Sequence, residues 1–412
     1  MIRWRRTVAV VLVGVVLGLA ALSLGVNAAS LPECIADSQE TPPLIIKSFP
    51  CGTYGIVVTR KEPVNQVETD VTVQYMVHAP AGPPKALVVL FSGGIGATGI
   101  TGDPVTGQVF TNNNNFLVRS AQLFAERGYR AVTIDRPSIA PPDAEYNGYR
   151  MSAKHAQDIA TVAAAANPGN LNVFLAGTSS GALSVVPQWM LGIGSMLSSP
   201  VTTGPPGSAY IGSPAFPTLL PSFVGVPVHV MAHALDACGA TSPANAAALH
   251  QQFLAAGISS EFDQLTGGFD QSSDPTVGPC GARAYHGFLG IENAAVSEIT
   301  ARMDATLSNL AARFPGNRRP IARFARLSTQ VRVPAVVNLM RLTDDPDHNR
   351  LTFFLPYATS SRGAAIQLRG PVATYWPNQA GITDGFVYVV SDVRGGMNAG
   401  VVVVEVASGF PR

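Results

Sequence analysis

The apolar, strand-like stretch Leu171-Asn-Val-Phe-Leu-Ala runs directly into Gly177-Thr-Ser-Ser-Gly181, and from there into a helical pattern that starts at Ala182. A strand, a GxSxG pentapeptide and a helix with no intervening loop leave the backbone one sharp, strained turn, and Ser179 stands on it. Glycines 177 and 181 suit that turn, because a side chain two residues to either side of the serine would collide with neighbouring backbone. The turn reads as a nucleophile elbow, which would lift the hydroxyl clear of the sheet. A glycine-rich turn without chemistry would carry the same five residues, so partners elsewhere in the chain decide between the two readings.

A serine hydroxyl is inert until a base takes its proton, and the base needs an acid to hold its tautomer. The chain offers both in the order Ser, Asp, His. Asp236 lies just past an expected strand at 227–234, and His286 lies in Ala-Tyr-His-Gly-Phe, after an expected strand at 260–265 and a long loop. Groups at the carboxyl ends of parallel strands converge, so distance along the chain is no obstacle. Asp263, Asp270 and Asp274 are rival acids, and His233 is the rival base, expected to pack or hydrogen-bond at a strand end. His155, at a helix start, reads as a satisfied structural histidine. Charge developing on a substrate carbonyl calls for two backbone N–H groups. The candidates are Ser180, which follows the serine, and Gly94, with Ile95 next, in the loop after Ser92-Gly93-Gly94.

From residue 86 onward strands and helices alternate. Segments 86–91, 130–135, 209–212 and 226–234, together with the Ser179 strand, read as strands. Helices are expected over 116–127, capped by Asn115 and ended by Gly128, and over 152–166, 244–256 and 291–312. Segments 55–60 and 71–78 suggest an antiparallel start. This predicts an α/β domain with a mostly parallel sheet. Beyond Pro315 only short strands follow, at 330–337, 351–355, 364–368, 372–376, 386–390 and 400–406, which predicts an all-β sandwich. The expected division is 1–28, 29–316 and 317–412, with Arg319-Pro320 as linker.

Charged residues make up 13% of the 412 and the net charge is +1. No basic stripe exists to neutralise phosphates, which argues against nucleic acid as a partner. Arg3, Arg5 and Arg6 precede an apolar run at 8–26 that ends in Val26-Asn27-Ala28, the pattern of a cleaved secretory signal peptide. A retained anchor is the alternative, because the run is just long enough to span a bilayer. Either route leads to an oxidising compartment. Cys34, Cys51, Cys238 and Cys280 then form an even set that fits two disulfides. Three pairings are open, and proximity along the chain favours Cys34 with Cys51 and Cys238 with Cys280. The second bond would staple the acid loop to the histidine loop. The usual zinc spacings are absent, and neither metal nor cofactor is expected.

Together these motifs resemble the α/β-hydrolase superfamily over roughly 51–314, and within it a group of secreted bacterial hydrolases of mostly unassigned substrate. The likeness is carried by Phe91-Ser-Gly-Gly-Ile-Gly, Asn115-Phe-Leu-Val-Arg-Ser, Gly177-Thr-Ser-Ser-Gly181, and Asp236-Ala-Cys238 with Cys280 and His286-Gly-Phe-Leu-Gly-Ile-Glu292. The resemblance implies an α/β-hydrolase fold with Ser179 as nucleophile, Asp236 as acid and His286 as base. It also suggests a pocket shaped by Asn115 and Arg119, for which helix capping and a surface ion pair are equal alternatives. Pro187 departs from the pattern, because it falls in the expected helix after the elbow and would kink or shorten it.

The C-terminal part resembles a bacterial cadherin-like, immunoglobulin-type β-sandwich through Thr343-Asp-Asp-Pro-Asp347, Tyr375-Trp-Pro-Asn378, Asp384-Gly-Phe-Val-Tyr388 and Ser391-Asp392. Such modules serve surface attachment, spacing or carbohydrate contact, and some bind calcium between successive repeats. With a single copy present, Asp345, Asp347, Asp384 and Asp392 read as turn-forming acids rather than ligands.

The expectation is therefore a secreted, periplasmic or cell-surface serine hydrolase that acts on a small-molecule or polymeric carboxylic ester through an acyl-enzyme. Its rivals are a peptidase or amidase using the same triad, a polymer depolymerase docked through the sandwich, and an inert surface adhesion protein.

Overall fold

The computed structural model describes residues 52–408 apart from 104, 107, 112, 205–208 and 212–224. The expected signal segment and the Cys34–Cys51 pairing lie outside these residues. The chain opens on a long antiparallel hairpin of β1 (Thr53–Val64) and β2 (Val67–His78). Its turn residues, Asn65 and Gln66, have φ of 50° and 66°. Positive φ at both turn positions matches the right-handed twist of the strands they join.

Six further strands complete the sheet: β3 (Leu87–Phe91), β4 (Arg130–Pro137), β5 (Val173–Thr178), β6 (Gly194–Ser198), β7 (Val228–His233) and β8 (Ser260–Leu265). The strand order is β1-β2-β4-β3-β5-β6-β7-β8. β2 pairs antiparallel with β4, and every pairing from β4 to β8 is parallel. The helices are α1 (Phe116–Arg119), α2 (Ala121–Glu126), α3 (Tyr146–Arg150), α4 (Ala153–Ala165), α5 (Ala182–Val185), α6 (Pro243–Ala255) and α7 (Glu292–Arg313). Side chains alternate across β3: Leu87, Val89 and Phe91 pack with α4, α5 and α6, whereas Val88 and Leu90 pack with α1, α2 and α7. Helices on both faces explain why β3, β5, β6 and β7 are buried along their whole length. This strand order with two helical layers is the α/β-hydrolase fold.

Three expectations are corrected. The strand between β5 and β7 is Gly194–Ser198, not 209–212, where residues 209 and 210 are irregular and 211 is in a turn. Gly-Ser-Met-Leu-Ser holds no β-branched residue, so its sequence hides it. It is stabilised by pairing on both edges, with Met196 and Leu197 entering opposite core layers. The single helix expected at 116–127 is two short ones, broken at Ser120. The strand expected at 330–337 is two strands joined through 331–334.

The C-terminal strands are β9 (Ala325–Gln330), β10 (Ala335–Asn338), β11 (Thr352–Phe354), β12 (Ala365–Arg369), β13 (Val372–Trp376), β14 (Ile382–Ser391) and β15 (Met397–Ala407). They form a four-stranded sheet, β9-β15-β14-β11, and a three-stranded sheet, β10-β13-β12. Phe386, Tyr388, Val402 and Val404 of the first face Ala335, Ile366, Ala373 and Tyr375 of the second, as in a β-sandwich. The opposite faces of β14 and β15 present Val387, Val389, Ala399 and Val401, which join the core of the α/β domain beside α4. Arg319, in the expected linker, is buried, and it donates to the carbonyls of Leu171 (2.7 Å) and Met397. The sandwich is thus bolted to the α/β layer.

Candidate active site

Ser179 follows β5 with φ of 54°. A non-glycine residue held there stores strain on the order of 1–3 kcal/mol, which the surrounding packing has to enforce. A Cβ on Gly177 would come within 2.4 Å of the Gly181 carbonyl oxygen, and one on Gly181 within 2.2 Å of the Phe91 oxygen. Both glycines are therefore obligatory for this turn. A single 3-10 turn, Ser179–Gly181, leads into α5, which gives way at Val186 to a 3-10 segment containing Pro187. The helix after the elbow is short, for the reason proline supplies.

The loop after β3 lies against the serine. The position a Cβ on Gly93 would take is 2.9 Å from Ser179 Cβ and 3.3 Å from Asn115 Nδ2. Glycine at 93 thus lets backbone, the Ser179 side chain and the Asn115 amide meet. Gly94 has φ of +56° in a turn closed by the Gly96 amide donating to the Gly93 carbonyl (3.2 Å). The Ser180 amide is in the first turn after the elbow, where no intrahelical acceptor exists. Asn115 also caps α1, its Oδ1 accepting from the Leu117 amide.

Asp236 and His286 come together at the carboxyl end of the sheet. Asp236 Oδ2 is 3.0 Å from His286 Nδ1, and both side chains are almost fully buried. Asp236 Oδ1 accepts from the Cys238 amide (2.9 Å). The bond between Cys238 and Cys280 is present, linking the acid loop to the loop before His286. The rivals are engaged elsewhere. Asp263 pairs with His229 and Arg302. Asp270 and Asp274 accept from Ser272 and Thr276 in exposed turns. His233 uses both ring nitrogens, with the Gly267 carbonyl and the Leu235 amide, and stacks on Tyr285 at 4.5 Å. His155 is buried between Phe91 and Tyr149 but, unlike a satisfied histidine, neither of its nitrogens has a hydrogen-bond partner among the described residues.

Two braces join the elbow to the Asp–His pair. Val201 donates to the Ser179 carbonyl (3.3 Å) and the next residue, Thr202, to the carbonyl of Ala240 (2.9 Å) in the acid loop. On the other side, α1 reaches from Asn115 to the histidine loop. Arg119, its side chain only 9% exposed, pairs with Glu292 (2.7 Å) and donates to the carbonyls of Ala282 (3.1 Å) and Gly287. Phe116 also packs on Phe288, with ring centroids 4.9 Å apart. The surface ion pair suggested for Arg119 is in fact a buried clamp.

Sequence reasoning missed Thr241. Its buried hydroxyl donates to Asp236 Oδ2 (3.0 Å) and lies 2.9 Å from His286 Nδ1, so it shares the hydrogen bond that orients the ring. A threonine five residues after an aspartate carries no sequence signal of this. Arg150, buried below the loop after β3, was missed as well. In the sandwich, Asp392 accepts from Asn317 and from the main-chain amides of Arg394 and Gly396, as a turn-forming acid does; Asp384, expected to do the same, instead lies buried within β14 and accepts from Ser360, Ser361 and Tyr375 of neighbouring segments. Among the described residues no cluster of three or more His, Cys, Asp or Glu could hold a metal ion.

No protein-family model matches the sequence, and no curated protein matches it. Among solved structures the chain is similar to esterase B from Lactobacillus rhamnosis, at 13% identity over 63% of this chain and 88% of that one, with a TM-score of 0.40. It is also similar to a thermostable carboxyl esterase from Bacillus coagulans, at 10% identity over 62% and 99%, TM-score 0.40. A third is an Agrobacterium tumefaciens protein of unknown function described as a putative α/β hydrolase, at 12% identity over 61% and 98%, TM-score 0.38.

Proposed function

We propose that this chain is a serine hydrolase that cleaves carboxylic esters through an acyl-enzyme. The observation that carries the reading is the Asp236–His286 contact of 3.0 Å, braced to a serine on a strained elbow of the same sheet. His286 takes the Ser179 proton at Nε2 as the oxygen attacks the ester carbonyl, while Asp236 and Thr241 hold Nδ1–H. Charge on the tetrahedral oxygen meets the amides of Ser180 and of Gly94 or Ile95. The imidazolium then protonates the departing alcohol, and water, activated by the same ring, releases the acid. An amide could follow the same steps, and a panel of chromogenic esters and anilides distinguishes the two.

We also infer export to an oxidising compartment. The Cys238–Cys280 bond supports it, because thiols are kept reduced in the cytosol. The polymeric substrate class stays within the proposal, with the sandwich as a fixed wall beside the catalytic layer.

Ser179→Ala tests the mechanism. Turnover of an ester substrate should fall on the order of a millionfold, with covalent labelling by a fluorophosphonate abolished. Wild-type turnover in that variant would exclude the mechanism.

A further inference from the structure

We infer that Arg150 is a positioning residue for the oxyanion loop, and that the C-terminal sandwich holds it in place through Tyr357. The inference rests on the acyl-transfer reading above. Arg150 ends α3 and is 2% exposed. Among the described residues its guanidinium pairs with no carboxylate. Instead Nη2 donates to the carbonyls of Ser92 (2.8 Å) and Gly94 (3.3 Å), Nη1 donates to Ser184 Oγ (2.6 Å) on α5, and the group lies 4.9 Å over the Tyr146 ring. Burial lowers its pKa to about 10, so it is still a cation at neutral pH.

A buried charge without a counter-ion costs stability, which here is offset by peptide dipoles. Those dipoles belong to the loop that touches Ser179. In a trans peptide the C=O and the following N–H point in opposite directions. Holding the Ser92 and Gly94 carbonyls therefore turns the amides of Gly93 and Ile95 away from Arg150, while the Gly93 carbonyl is occupied by the Gly96 amide. Three consecutive carbonyls are tied down, so the loop's donors are set before charge develops on a substrate. Among the candidates, Ile95 gains over Gly94 as the second donor.

The sandwich enters through one side chain. The Tyr357 hydroxyl donates to the carbonyl of Met151 (2.8 Å) and accepts from Gln188 Nε2 (2.8 Å), which also donates to the Arg150 carbonyl (3.2 Å). The end of α3 is thus pinned from the second domain.

The test uses the full chain and kcat per active site, with sites counted by fluorophosphonate titration. Arg150→Met should lower kcat about 100- to 1000-fold, as loss of an oxyanion donor does, with KM changed less than about threefold. Arg150→Lys should recover part of the loss. Tyr357→Phe should lower kcat about three- to tenfold and add nothing to Arg150→Met, because both act through one loop. If Arg150→Met does not fold, Arg150→Lys and Tyr357→Phe decide. A folded Arg150→Met that loses only melting temperature and keeps wild-type kcat overturns the inference. Unchanged kcat in Tyr357→Phe overturns the part assigned to the sandwich. Full activity in Ser179→Ala would instead overturn the hydrolase reading itself.

Discussion

Opening the Cys238–Cys280 bond should remove activity before it melts the sheet. The two cysteines are 42 residues apart. Loop-closure entropy for that length gives about 4 kcal/mol of stabilisation at 25 °C. At roughly 1 °C per kcal/mol for a chain of this size, the melting temperature should fall by about 5 °C at most. The local effect is larger. Cys238 is the residue whose amide holds Asp236 Oδ1, and Cys280 lies six residues before His286, so the released loops are those that carry the carboxylate and the imidazole. The histidine loop keeps its Arg119 and Phe116 anchors, which leaves the acid loop as the side that drifts. A misplacement of about 1 Å can cost on the order of a hundredfold in rate. Ester turnover should be followed after mild reduction, with the opened bond verified by peptide mapping and the sheet by far-ultraviolet circular dichroism at 25 °C. Full kcat in protein with this bond shown to be open would refute the reasoning.

Two further outcomes are expected. Thr241→Val keeps the shape but removes a hydroxyl bound to a charged carboxylate, a contact worth about 1.5–3 kcal/mol, so kcat should fall about 10- to 100-fold with the fold intact; less than a twofold change would leave Thr241 a packing residue. His78 is buried with Nδ1 unpartnered among the described residues, and burial lowers its pKa to about 4 from the usual 6.5. The unfolded chain therefore binds the proton first as pH falls, and stability present above pH 6.5 is lost toward pH 4. Unfolding free energies from urea titrations at pH 7.5 and 4.5 should differ by about 2–3 kcal/mol more in wild type than in His78→Phe, and equal differences would contradict it.

Much of the α/β layer was readable from local signals. Gly177 and Gly181 marked the elbow because sterics there act within five residues, and the alternation of strand and helix follows from the period of apolar side chains. Asp236 and His286 were readable from their places after strands, with Asp236 preferred over Asp263; the structure adds that Asp263 is held by His229 and Arg302. β6 escaped because five residues with a glycine and two serines have no propensity of their own to announce.

The sequence by itself determined the strained serine turn, the two-layered alternation and the β-rich C-terminal part, since each depends on steric and periodic rules acting between near neighbours. Only the tertiary structure decided that Thr241 joins the Asp–His pair, that Arg119 clamps the histidine loop, that Arg150 underlies the loop after β3, and that the sandwich shares a core with α4. Those facts depend on which distant segments become neighbours, and a side chain's partner across tens or hundreds of residues is set by packing of the whole sheet rather than by anything written beside it.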